Sequence, residues 1–124
     1  MIKKIIIDTN AWMAVYEFNL DLLTALRESL DFSYKVYVLQ ATLDELKKII
    51  SEQRGRFKQA ALLSLGLIND KKIEIINEIG NADDLLVAYS KKDYLILTQD
   101  VELKKRLNKP YLTIRQKKKI LVVE

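Results

Sequence analysis

Five acidic residues stand where a carboxylate could take part in chemistry. Asp8 closes the run Ile5-Ile6-Ile7, Glu45 lies in Leu43-Asp44-Glu45-Leu46, Asp83 and Asp84 follow Asn81-Ala82, and Asp100 follows Leu97-Thr98-Gln99. The chain contains no cysteine and no histidine. That removes thiolate and imidazole zinc sites, cysteine nucleophiles, disulfides and every triad that needs an imidazole base. Chemistry must rest on carboxylates, hydroxyls or lysines. Carboxylates gathered at one place repel and raise one another's pKa unless a divalent cation neutralises them. Ligation by oxygen alone selects hard ions, Mg2+ or Mn2+. Such an ion positions and acidifies a water and stabilises negative charge on a phosphate, which is the logic of metal-assisted phosphodiester hydrolysis. A carboxylate can also orient or deprotonate that water.

The elements that must position these acids follow from hydrophobic periodicity. Ile2 to Ile7 is an almost unbroken β-branched run, the pattern of a strand buried on both faces of a parallel sheet. Ala11 to Tyr16 and Leu20 to Leu30 carry helical spacing, Lys35 to Leu39 reads as a second strand, and Thr42 as the start of the next helix. Arg56 to Ile68 is helical, Ile73 to Ile76 a brief strand, and Asn81 caps a helix from Ala82 to about Lys91. Tyr94 to Thr98 is a fourth strand, and Asp100 caps Val101 to Leu107. Extended segments at Tyr111 to Ile114 and Ile120 to Val123 flank a basic turn. Alternating strands and helices predict a three-layer α/β/α sandwich with a mainly parallel central sheet, formed by residues 1–124 as one domain. In such sheets ligands bind outside the carboxyl ends of the strands, the edge to which all five acids fall.

Each acid taken singly has an ordinary structural explanation. Asp8 is a strand-end acid able to bond local amides. Glu45 stands three residues after Thr42, so Thr-Leu-Asp-Glu reads as a capping box. Asp83 and Asp84 occupy a first helical turn, where the macrodipole favours acids by about 0.3 to 1 kcal/mol. Asp100 is an N-cap, worth on the order of 1 kcal/mol. Their joint placement is what these explanations leave out.

Taken together, Ile-Ile-Ile-Asp-Thr-Asn at 5–10, Leu-Asp-Glu-Leu at 43–46, Asn-Ala-Asp-Asp-Leu-Leu-Val-Ala at 81–88 and Ile-Leu-Thr-Gln-Asp at 96–100 give a chain that resembles the PIN-domain nucleases. The resemblance covers essentially the whole sequence. It implies cleavage of single-stranded RNA by a Mg2+- or Mn2+-dependent site. Carried over, Asp8 is the first metal ligand, Asn10 the polar partner that orients the site, Glu45 the helical acid, Asp83 the third acid and Asp100 the fourth, with Thr98 as the accompanying hydroxyl. The adjacent Asp84 fits the third position as well, and both are retained. The double Asp and the tail Tyr-Leu-Thr-Ile-Arg-Gln-Lys-Lys-Lys look more like the ribosomal RNA-processing branch and its archaeal relatives than VapC-type toxins. A toxin ribonuclease whose antitoxin peptide binds near the site stays open, as does a non-cleaving module that binds RNA or protein.

The rest of the sequence sets the surroundings. A net charge of +4 tolerates a polyanionic partner. Lys104 and Lys105 follow Asp100, with Arg106 and Lys109 nearby, and Arg115, Lys117, Lys118 and Lys119 cluster near the end. Such runs are often solvated faces, but an acidic site needs positive surroundings to hold single-stranded or structured RNA. Trp12 and Tyr16 are expected in the core or at a homodimer contact formed by the helices from Trp12 to Leu30. No membrane span is expected, and a cytoplasmic protein is. A phosphoacceptor receiver domain is the nearest rival by architecture, but it wants paired acids after strand one and an Asp after the middle strand, where Ile76 stands. A dinucleotide-binding module lacks its glycine-rich phosphate loop.

Overall fold

The computed structural model describes residues 1–124. In chain order the elements are β1 (Lys3–Ile7), α1 (Thr9–Glu17), α2 (Leu22–Ser29), β2 (Tyr34–Leu39), α3 (Gln40–Glu52), α4 (Arg56–Asp70) and β3 (Glu74–Ile76). They continue as α5 (Ala82–Ser90), β4 (Tyr94–Leu97), α6 (Val101–Arg106), β5 (Tyr111–Arg115) and β6 (Lys119–Val123). Each expected strand and helix is present, with ends displaced by a residue or two.

The strands form one sheet in the order β3-β2-β1-β4-β5-β6. The first five are parallel, and β6 returns antiparallel to β5 as the second arm of a hairpin. Central β1 pairs on one side with β2, Ile5 opposite Val36, and on the other with β4, Ile5 opposite Leu95. Alternation along β1 sends Ile5 and Ile7 into the larger core, with Trp12, Leu26, Leu46 and Ile68, while Ile6 joins Leu39, Leu86, Ile96 and Leu103 on the other face. Helices cover both faces, so the fold is a three-layer α/β/α sandwich. Complete burial of Ile5, Ile6 and Ile7 contributes about 1.5 to 3 kcal/mol each and anchors the end of β1. From β1 the chain winds outward through β2 and β3, then returns and winds the other way through β4. The strand order therefore reverses between β1 and β4, and their carboxyl ends border the crevice that such a reversal opens.

One expectation needs correction. α3 begins at Gln40, directly after Leu39, with no side-chain cap, so Thr42 lies inside the helix and Thr42 to Glu45 is not a capping box. With β2 running straight into α3, the helix nucleates before the sequence pattern that imitates a start. Of the two places expected for Trp12 and Tyr16, Trp12 takes the core, wholly buried with its indole N–H lacking an acceptor, while Tyr16 is 40% exposed. No helix is long and apolar enough to cross a membrane.

Candidate active site

Asp8 is the first residue past β1 and the N-cap of α1, its Oδ1 accepting from the Thr9 amide at 2.8 Å. Its own amide donates to the Leu97 carbonyl, extending the β1–β4 pairing by one rung. Thr98, the first residue past β4, donates its hydroxyl to Asp8 Oδ2 at 2.8 Å and accepts the Asp100 amide at 3.1 Å. Asp100 caps α6 as expected, its Oδ1 accepting from Glu102 and Leu103 amides at 2.9 and 3.2 Å. One buried hydroxyl thus ties the first acid to the last. Asn10 adds a second tie, its Oδ1 accepting the Gln99 amide at 3.0 Å.

Glu45 reaches the same edge from α3. Its Oε1 accepts the Thr9 hydroxyl at 2.8 Å, with the buried Thr42 hydroxyl 3.4 Å from that of Thr9. Far from serving a helix cap, the carboxylate is oriented by the residue after Asp8. Asp83 lies in the first turn of α5, which Asn81 opens by accepting the Asp84 amide at 3.1 Å. Successive helical side chains diverge by about 100°, and the two neighbours have different partners. Asp83 raises the pKa of Asp8 through its charge, as does Glu45. Asp84 instead accepts from Arg106 Nη2 at 2.6 Å in an exposed ion pair. Asp8, Glu45, Asp83 and Asp100 share one edge, while Asp84 is turned to Arg106.

Burial dominates the electrostatics. Asp8 is 6% exposed, and desolvation of its charged form pushes its pKa up to about 6. The Thr98 hydroxyl and Thr9 amide pull it down, and Asp83 and Glu45 push it up further. The ion pairs of the molecule are Lys35–Glu74, Lys105–Glu102 and Arg106–Asp84, so none of the four converging acids has a basic partner. As the side chains stand, no three acids are gathered closely enough to hold one metal ion. Glu45 is exposed and Asp83 half-buried, so both side chains have room to turn. The donor set, oxygen throughout and without a counter-charge, fits a hard divalent cation.

Two contributors escaped the sequence. Thr9, inside the Asp-Thr-Asn motif, links Glu45 to the start of α1, and the partner that reveals this lies 36 positions on. Gln99 works like a rung of sheet: its Oε1 accepts the Ile114 amide at 2.7 Å and the Thr113 hydroxyl at 2.8 Å, and its Nε2 donates to the Ile114 carbonyl. It locks the loop bearing Asp100 onto β5. Of the expected basic residues, Arg115, Lys117, Lys118 and Lys119 are exposed at the β5–β6 hairpin. Because β5 runs parallel to β4, this hairpin leaves the sheet at the edge where Asp100 stands. Lys117 lies over the Phe18 ring, its Nζ 5.6 Å from the centroid. On α6, Lys105 is paired with Glu102, and Lys104 is half-buried and makes no ion pair.

A family model described as a PIN-like domain matches residues 5–117, a span that includes all five acids. Among solved structures, the chain is similar to the PIN domain endonuclease Utp24, with 26% sequence identity and a TM-score of 0.75. That match covers 98% of this chain and 96% of the other. No curated protein matches.

Proposed function

The chain belongs to the PIN-like domain family, and from that premise we propose that it is a metal-dependent endoribonuclease hydrolysing RNA phosphodiester bonds at the Asp8, Glu45, Asp83 and Asp100 edge. The observation that carries this reading is the contrast among the acids. Four carboxylates from four separate elements lie at the strand-order reversal without a basic partner, while the fifth, Asp84, has one.

Mg2+ or Mn2+, when bound, would acidify a water and offset charge on the scissile phosphate. The chain's own residues prepare that event. Asp8 has one lone pair on each oxygen engaged, by Thr9 and by Thr98, which fixes the plane of the carboxylate and leaves the outward lone pairs available. Asp100 keeps Oδ2 free because its cap bonds use Oδ1, and Glu45 keeps Oε2 free in the same way. Thr98 and Asn10 hold the Asp100 loop against α1 and act as positioning residues. Lys104, Lys105 and the hairpin residues Arg115, Lys117, Lys118 and Lys119 would draw the RNA backbone toward an otherwise acidic edge.

A role in RNA processing is the cellular reading, supported by the tail sequence and by the full-length likeness to an endonuclease of the same fold. A VapC-type toxin is the alternative, and an adjacent antitoxin reading frame would favour it. The direct test incubates single-stranded and structured RNA with the protein in Mn2+, in Mg2+ or in chelator, beside Asp8→Asn and Asp100→Asn. Cleavage should require metal and fall at least a hundredfold in either variant. Cleavage that survives both substitutions refutes the mechanism.

A further inference from the structure

Next to the carboxylates, α1 and α3 both pack on α4 and scarcely touch one another. The cleft left between them has a volume of about 340 Å3 and is lined by Asn10, Met13, Glu17, Ile49, Gln53 and Phe57. Its walls continue the site. Asn10, Met13 and Glu17 form one stripe of α1, Ile49 lies one turn beyond Glu45 on α3, and Gln53 is the C-cap of that helix. Asn10 therefore belongs both to the carboxylate edge and to the cleft.

Resting on the ribonuclease reading, we propose that this cleft is a nucleobase slot for the nucleotide beside the scissile phosphate. Met13 and half-buried Ile49 make an apolar floor. Phe57 is 59% exposed and stands outside both core clusters, a ring that offers its face to a planar partner. With Asn10 Oδ1 held by the Gln99 amide, the Asn10 Nδ2 supplies a donor and the Gln53 amide both a donor and an acceptor of the kind base edges require. Glu17 accepts hydrogen bonds only and repels phosphate, so the wall it forms suits a base and not the backbone. Arg56, which shares an adjoining hollow with Glu17 and Phe57, lies where the backbone of that nucleotide would pass. A carboxylate wall favours bases carrying an exocyclic amine and disfavours uracil, whose edge sets two carbonyl oxygens about a single N–H.

The test measures binding of a labelled short single-stranded RNA by fluorescence anisotropy, in an Asp8→Asn background so that cleavage does not intervene. An abasic nucleotide is walked along the strand. Phe57→Ala should weaken binding about tenfold, within the range that stacking on one aromatic ring supplies. At one abasic position the Phe57-containing protein should lose the same factor, and Phe57→Ala should lose nothing further. Glu17→Gln should narrow the preference against uridine. Binding indifferent to Phe57→Ala, or a Phe57→Ala loss that is equal whichever position is abasic, overturns the slot and leaves the cleft to a protein partner. The two readings fail separately. Metal-dependent cleavage with no Phe57 effect removes the slot alone, and a position-specific Phe57 effect in a protein that cuts no RNA removes the nuclease alone.

Discussion

Replacing Asp8 by Asn should make the metal-free protein more stable while abolishing its chemistry. The ordinary carboxyl pKa of 3.8 rises to about 6 in the fold, chiefly because burial penalises the charged form. Each pKa unit corresponds to about 1.4 kcal/mol, so an ionised Asp8 costs the folded state about 3 kcal/mol. With a folded pKa above the unfolded one, the stability linked to this group is full below pH 3.8 and lost as pH rises through about 6. Asn carries no charge at any pH. Its Oδ1 can keep the Thr9 amide, but its Nδ2 then faces the Thr98 hydroxyl, which must turn to accept it, at a cost of about 1 to 2 kcal/mol. The net gain at pH 8 is about 1 to 2 kcal/mol, or roughly 4 to 8 °C in melting temperature for a domain of this size. Thermal melts in chelator at pH 8 and pH 4 measure it: the advantage should be present at pH 8 and vanish at pH 4. Mn2+ should raise the melting temperature of the Asp8 protein and leave Asp8→Asn unmoved. A variant less stable than its parent at pH 8, or a difference independent of pH, refutes the reasoning.

Other perturbations separate the parts of the site. Thr98→Val strands the Asp100 amide and removes the hydroxyl that holds Asp8 down; urea unfolding should register a loss of about 1 to 3 kcal/mol, and the acid limb of the cleavage–pH profile should move to higher pH. Asp83→Asn should lose cleavage while Asp84→Asn keeps it within about twofold, with stability changed by no more than about 0.5 kcal/mol because the Arg106 pair is exposed; equal loss in both would reverse the assignment. Changing Lys117, Lys118 and Lys119 together to Ala should reduce the slope of log binding constant against log salt by about 2, at about 0.7 per charge on a single strand, and an unchanged slope would exclude the hairpin from the RNA path.

Much of this architecture was readable from periodicity because a parallel sheet covered on both faces writes itself as short β-branched runs between helical stripes. The caps at Asn81 and Asp100 were equally legible, since a cap is a bond between residues two or three apart. What could not be read is non-local or rotational. Thr42 to Glu45 matches a capping box in every residue, yet the helix starts two positions earlier, and the true partner of Glu45 is Thr9. Asp83 and Asp84 are followed by apolar residues that suit either register; Arg106, 22 positions on, takes one of them. Trp12 fitted a core or a contact surface on spacing alone, and only the packing of α1 buries it completely.

The bond from Thr98 to Asp8 spans 90 positions. Its length along the chain has a meaning for synthesis. Contacts so distant form late, after the loop between them has closed. Asp8 is made long before its partners: the threonine that orients it and the Asp100 that completes the edge follow only when β4 and its loop are made. A chain of this topology therefore cannot assemble the edge until β4 has been made and laid beside β1.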